Sequence, residues 1–476
     1  LLSSAASDVY KRQRLYDATT DAVASDLTTI SGLVGSETLN LSGTGSVTNA
    51  NVASNKTVTL GTLALADNSG LAANYTLSGG THQLTINQRP LAATVARQYD
   101  GTKTAAGSDL SSFDALQGGE TLTLSGSGTV GDENVANGQG ITLGTLALVD
   151  GTGLASNYSL NSASLNITER VLNSSGSKTY DANTNALAGA ITLSNLVSGE
   201  ALNHSGTATI SSANAGSYTI TNLAGITIAD GSGGTASNYT LTGGTHNFTV
   251  NRRVVGVSGT RLYDATTNAV ASDLSTHTNL VGTETLNLSG TGTIASKNVG
   301  SNKTVSVGTL ALADGSNGGL AANYTLSGGT HQLTVNQRPL NATLSRQYDG
   351  TTTSAGSDLS SFDALQGGET LTLSGSGTSA SANVANGIAM SSNGNLALVD
   401  GTGLASNYSL NSTVINITER VLNSSGSKIY DANTDALAAD ITLSNLVSGE
   451  ALNHSGTATI SSANAGSYTI TNLAGI

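Results

Sequence analysis

The side chains able to do chemistry recur in a fixed order along this chain. Tyr-Asp occurs at Tyr16-Asp17, Tyr99-Asp100, Tyr180-Asp181, Tyr263-Asp264, Tyr348-Asp349 and Tyr430-Asp431. A glutamate follows each of these tyrosines by 20 or 21 positions: Glu37, Glu120, Glu200, Glu284, Glu369 and Glu450. Asn-Tyr-x-Leu follows the first five by 59 to 61 positions, at Tyr75, Tyr158, Tyr239, Tyr324 and Tyr408. Paired carboxylates can act as general acid and base, or as nucleophile and acid in glycoside hydrolysis. Six copies of one catalytic pair with no accompanying base or nucleophile do not describe an enzyme. Calcium suits the carboxylates better, since it takes oxygen ligands from Asp, Glu and Asn. The candidate ligands are Asp100, Glu120 and Asp150 in one repeat and Asp349, Glu369 and Asp400 in its twin. No EF-hand loop is present, and Asp-Gly is an ordinary turn, so turn capping is favoured over calcium. For the tyrosines, a sugar-stacking face competes with a core ring whose hydroxyl ties a strand corner; the second reading is favoured.

Other chemistries are excluded by composition. The chain has 476 residues, 31 acidic and 18 basic, a net charge of −13, and no Cys. A disulfide scaffold, a thiolate metal site and a cysteine nucleophile are therefore ruled out. An Arg-poor, acidic surface does not fit nucleic acid. No run of about 18 apolar residues is present to span a membrane as a helix. The 6 His lack metal-ligand spacing, and Gly231-Ser-Gly-Gly234 lacks the lysine of a phosphate loop.

The elements that must position these residues are short strands. Glu120-Thr-Leu-Thr-Leu-Ser alternates with period two, as does Ile141-Thr-Leu143, and the phase flips across Gly144 to Leu146 and Leu148. A glycine at such a flip predicts a bulge or a corner between sheets. The Tyr-Asp steps are 83, 81, 83, 85 and 82 residues, too long for a solenoid coil and right for a small domain. A longer period lies on top: Pro90 and Pro339 are 249 apart, and residues 173–226 and 423–476 differ at only four positions. The fold class is all-β, a tandem array of small immunoglobulin-like β-sandwich repeats of about 82 residues forming an elongated rod. The repeats are 14–89, 90–170, 171–253, 254–338, 339–420 and a truncated 421–476. Residues 1–13 fit no later pattern and are expected to be a non-native leader. The last repeat stops mid-pattern, so fraying is expected there. Near-identical neighbours tend to misassemble. The spacing of the closest copies about 250 residues apart is expected to oppose that.

Tyr99-Asp-Gly101 and Tyr348-Asp-Gly350, with Gly-x-Glu or Gly-Glu downstream, then Leu-Ala-Leu-x-Asp-Gly and Asn-Tyr-x-Leu, resemble the YDG domain. The resemblance extends from Arg14 to Ile476. It implies a bacterial immunoglobulin-like repeat of large secreted proteins similar to filamentous haemagglutinins, including adhesins exported by two-partner secretion. The implied role is a stalk on the bacterial cell surface that projects a binding region. Its implied partners are an outer-membrane transporter during export and a receptor or glycan on a host or neighbouring cell. A multivalent glycan-binding array and an accessory region of an extracellular enzyme are the alternatives. Four repeats carry Ala in place of the motif's Gly, at Ala18, Ala182, Ala265 and Ala432; because Ala tolerates fewer conformations, φ is expected to stay negative there.

Overall fold

The computed structural model describes residues 13–27 and 29–476. The expected leader therefore lies outside the described residues, except for Gln13. That residue already belongs to a strand, Gln13–Leu15, paired parallel with Thr85–Asn87. The described residues divide into two compact units, one of those up to Lys178 with Asn183–Val250, the other of Asn251–Ile476 with Thr179–Ala182.

In the first unit, residues 89–168 show the module plan. The strand Arg89–Gln98 runs parallel to Tyr158–Thr168, flanked by Leu110–Phe113 on one side and Ala136–Gly140 on the other. Alternate residues of the two central strands point inward: Leu91, Ala93 and Val95, and Ala163, Leu165 and Ile167, are all buried. This is the period-two burial that a pleated strand imposes. Two short ribbons cover that face, Leu122–Ser125 with Ala147–Asp150 and Thr104–Ala106 with Ser127–Thr129. They add Leu124, Leu146, Ala105 and Val130 to the same core. The corner expected at Gly144 is there. Its φ is +55°, Leu146 N–H returns to the Leu143 carbonyl at 2.8 Å, and the chain leaves the large sheet for the ribbon.

The second unit repeats the plan. Arg338–Gln347 is parallel to Tyr408–Thr418, and Gly256–Leu262 to His331–Asn336. Connections between successive modules are short: one residue, Gln88, separates the strands Gln83–Asn87 and Arg89–Gln98, and Gln337 does the same between His331–Asn336 and Arg338–Gln347. The last repeat forms two small separate sheets, Asn423–Gly426 with Ile441–Ser444, and Asp435–Leu437, Thr457–Ile460, Ile470–Asn472. A cleft of about 750 Å³ opens beside Ile441, Ile460 and Ile470. In the twin repeat the corresponding strands belong to one sheet, in which His246–Asn251 lies between Gly216–Asn222 and Asn173–Thr179.

One backbone expectation is corrected. Ala18, Ala182, Ala265 and Ala432 have φ of +62°, +62°, +63° and +63°. The turn overrides the alanine preference because the preceding aspartate closes it. Asp17 Oδ1 accepts the Thr19 N–H at 3.0 Å, and Arg14 bonds both Asp17, at 2.8 Å, and the Thr19 carbonyl, at 2.5 Å. Left-handed alanine costs about 1–2 kcal/mol, which these charge-assisted bonds can offset.

Candidate functional site at the module junctions

The motif residues meet where one module follows another. The Asn-Tyr tyrosine builds the receiving face. The Tyr158 hydroxyl accepts the Gln117 N–H at 3.1 Å and donates to Glu120 Oε2 at 2.7 Å. The Gln117–Glu120 turn is closed by the Glu120 N–H on the Gln117 carbonyl at 3.0 Å. Gly153 must lack a side chain here, because a Cβ would stand 2.6 Å from Glu120 Oε2. The Tyr-Asp tyrosine of the preceding repeat then completes the site, with Tyr16 Oη donating to Glu120 Oε1 at 2.5 Å. The two rings meet edge to face at 5.2 Å, 77° apart. One carboxylate thus binds two tyrosines from successive repeats.

The same arrangement recurs. In the first unit Glu200 takes Tyr99 and Tyr239, each at 2.6 Å. In the second, Glu284 takes Tyr180 at 2.7 Å and Tyr324 at 2.5 Å, and Glu369 takes Tyr263 at 2.6 Å and Tyr408 at 2.9 Å. Each tyrosine pair is T-shaped at 5.2–5.4 Å. Glu450 accepts Tyr348, and Glu37 accepts Tyr75, each with one tyrosine among the described residues. Eight of these rings are 0–4% exposed, so their faces are not available to a ligand. Tyr430, in the last repeat, is 63% exposed.

Two residue types unsuspected from sequence complete the junction. Asn157 is 1% exposed; its Oδ1 accepts the Val52 N–H at 2.9 Å and its Nδ2 donates to Asn51 Oδ1 at 3.0 Å. Asn238 binds Val135 and Asn134 in the same way, and Asn407 binds Val299 and Asn298. An arginine in the connector caps the Tyr-Asp carbonyl: Arg89 on Tyr16 at 2.6 Å, Arg338 on Tyr263 at 2.7 Å, and Arg170, Arg253 and Arg420 on Tyr99, Tyr180 and Tyr348 at 3.3 Å. The signal was present, as an Asn before every second-motif tyrosine and an Arg 71 to 75 residues after the first.

Each carboxylate considered for calcium has a protein partner. Asp100 and Glu120, close in sequence, serve different junctions. Asp100 is held by Arg97 and closes the turn through the Thr102 N–H at 2.9 Å, and Asp349 does the same with Arg346 and Thr351. Asp264 pairs with Arg261 and Asp431 with Lys428. Asp150 and Asp400 each accept the first N–H of a short 3₁₀ turn, from Ala155 at 2.7 Å and Ala405 at 2.6 Å, which presents the Asn-Tyr pair. Glu120 and Glu369 are occupied by tyrosines. Among the described residues no group of three or more His, Asp or Glu side chains is placed to hold a metal ion.

The electrostatics follow from burial. Desolvation first, and then the hydrogen bond to Glu120, push the Tyr158 hydroxyl up to about 12. Burial and the glutamate bond likewise push Tyr239 and Tyr324 to about 12. Tyr16, Tyr99 and Tyr180 rise further for the same reasons. Glu369 differs from the other glutamates. Lys297 Nζ bonds its Oε1 at 2.6 Å and lies 6.0 Å from the Tyr263 ring centroid. Burial would raise the Glu369 pKa, but the bonds from Lys297, Tyr263 and Tyr408 outweigh it and hold the carboxyl below the usual range. The residue equivalent to Lys297 is Ala50, Glu133 or Ala382 in other repeats.

Among the described residues no helix is long and apolar enough to cross a membrane. No curated protein matches the chain. The YDG domain profile matches five consecutive stretches, residues 4–85, 81–165, 164–246, 249–333 and 331–415. These matches tile most of the sequence with the period of the Tyr-Asp motif, and the chain belongs to the YDG domain family as a tandem array of its repeats.

Proposed function

We propose that this array is the structural stalk of a large secreted bacterial surface adhesin, displaying a binding region away from the cell. The observation that supports this reading is the recurrence of the junction. The recurring tyrosines and glutamates join one repeat to the next, and the aspartates close turns beside them. A glutamate shared by two buried tyrosines, an asparagine capping the neighbouring loop and an arginine on the neighbouring carbonyl all resist bending. Charge-assisted hydrogen bonds of this kind contribute about 1.5–3 kcal/mol each. A stalk needs stiffness at its joints, and the shared glutamates, asparagines and arginines supply restraints there.

Export of a chain without Cys needs no oxidase for refolding outside the cell. An outer-membrane transporter would pass it, and the receptor or glycan on the opposing cell would be met by a region beyond the stalk. The glycan-array alternative has less support, since eight of the eleven recurring tyrosines are buried. The test is electron microscopy of cells producing the protein, with gold labels at the two ends of the array. Label outside the cell, with one end farther from the envelope than the other, supports the stalk. Label confined to the cell interior overturns it.

A further inference from the structure

The residue after Tyr-Asp varies between Ala and Gly, and it does so in step with the loop it faces across the junction. Where the Glu-bearing loop has Gly two residues before the glutamate, the facing residue is Ala: Ala18 with Gly118, Ala182 with Gly282, Ala265 with Gly367. Where the loop has Ser there, Ser198 or Ser448, the facing residue is Gly, Gly101 or Gly350. All five junctions obey this.

Space explains the match at Gly101 and Gly350, and at Gly118, Gly282 and Gly367 a left-handed backbone favours glycine as well. Gly101 and Gly350 have φ of +73° and +76°, but the alanines hold φ of +62° to +63° in the equivalent turn. Left-handed geometry therefore does not by itself require glycine. What requires it is the partner loop: a Cβ on Gly101 would stand 2.9 Å from Val197 Cγ1 and 3.4 Å from Glu200 Oε1, and a Cβ on Gly350 would stand 2.9 Å from Val447 Cγ1. In the other loop type the glycine two before the glutamate is itself left-handed, at φ +60°, +54° and +59°, and leaves room for the methyl. There the clash is reversed, since a Cβ on Gly118 or Gly367 would stand 2.9 or 2.8 Å from the Ala18 or Ala265 methyl. At Gly282 nothing lies within 4 Å of that position, so the shape of the loop makes the room.

We propose that this size-matched pair sets which module docks after which. A Val-Ser-Gly-Glu face accepts only a Tyr-Asp-Gly end, and a face with Gly two before the glutamate accepts the methyl of Tyr-Asp-Ala. One consequence concerns the nearly identical repeats 171–253 and 421–476. Both carry Tyr-Asp-Ala and both present Val-Ser-Gly-Glu, so a repeat of this type does not dock on its own copy. The rule holds whatever the array displays.

The test uses the full chain and amide hydrogen exchange. The Val135 N–H, bonded to Asn238 across one junction, and the Val52 N–H, bonded to Asn157 across another, report docking. Gly101→Ala is expected to speed exchange at Val135 by about tenfold or more, as overpacking a fitted contact does. Adding Val197→Gln and Ser198→Gly, which installs the loop found at Gln117–Glu120, is expected to restore protection. Reciprocally, Gly118→Ser exposes Val52, and Ala18→Gly restores it. Exchange within the strand Tyr158–Thr168 reports whether the module itself stays folded; should Gly101→Ala unfold it, the Gly118 and Ala18 pair carries the test. Restoration by the matching partner establishes the rule. Unchanged protection in Gly101→Ala and Gly118→Ser, or failure of both partner substitutions to restore it, overturns it.

Discussion

Tyr99 and Glu200 lie 101 residues apart in the chain, yet the tyrosine hydroxyl donates to Glu200 Oε1 at 2.6 Å. Within its own repeat Tyr99 precedes Glu120 by 21 residues, and that glutamate serves Tyr16 instead. The spacing that looks like an intramodular pair is therefore two halves of different joints. Removing Glu200 should test how far the joint depends on it. Glu200→Ala leaves two buried hydroxyls without their acceptor, a cost of about 1–3 kcal/mol for each. Faster exchange at Val135 and Val197, with the strand Tyr158–Thr168 unaffected, is the expected result. Glu200→Gln should cost less, because an amide oxygen can still accept one of the two bonds.

Alkali should open the joints in a defined window. The folded pKa of Tyr158, Tyr239, Tyr324 and Tyr408 is raised from 10.0 to about 12. A raised pKa means that the protonated hydroxyl is stabilised in the folded state. Its contribution is fully present below pH 10 and is lost as the pH rises through about 12. A tyrosinate absorbance titration should therefore show a late-titrating class coinciding with loss of Val135 protection. Titration of all tyrosines near pH 10 with the joints intact would contradict this.

Buried asparagines should matter as much as the tyrosines. Asn157→Ala leaves the Val52 N–H without its partner in a buried site, at a cost of about 1–3 kcal/mol. Asn157→Asp keeps an acceptor for Val52 but sets a carboxylate against Asn51 Oδ1, and should be more disruptive below the surface than Asn157→Ser. Thermal melts of the three variants would rank them.

How much of this was legible in the sequence can be argued from these residues. The period, the strands around Leu122 and Leu124, and the corner at Gly144 were readable because alternation and glycine act locally. The joint was not, because Tyr99 finds Glu200 through the docking of two modules, which no spacing within one repeat encodes. Ala18 failed as an expectation for a related reason. Its intrinsic preference is for negative φ, but the Asp17–Arg14 clasp on Thr19 overrides it. Asn157 was visible as part of Asn-Tyr-x-Leu, but a single Asn in so Asn-rich a chain carries no sign of being 1% exposed.

Lys297 should make one joint respond differently to acid. The Glu369 carboxyl is held below its ordinary value of 4.5, so its contribution is present above that pH and is lost as the pH falls through the lowered folded value. Lys297→Met removes the bond from the lysine ammonium and should move the Glu369 carboxyl titration upward, as followed by carboxyl-carbon NMR. Because the lysine is 41% exposed, the accompanying change in stability should be small.

Chelation should leave the joints intact. Asp100, Asp349, Asp150 and Asp400 already accept bonds from Arg97, Arg346, Ala155 and Ala405, and Glu120 and Glu369 from tyrosines. Melting temperatures in calcium and in excess chelator should agree. A fall on chelation would show that the carboxylates hold an ion.

Solution X-ray scattering of the whole chain, compared with a variant carrying Glu→Ala at positions 120, 200, 284 and 369, tests the central claim most directly. A compact particle of this length has a radius of gyration of about 23 Å. Stiffly joined repeats at the strand rise per residue span roughly 200 Å and give roughly 55–60 Å. The expected result is the larger value with rod-like scattering for the native chain, and the scattering of a flexible string of folded modules for the variant. A compact native particle, or a variant indistinguishable from it in stiffness, would contradict the proposal that the shared glutamates stiffen the joints of a stalk.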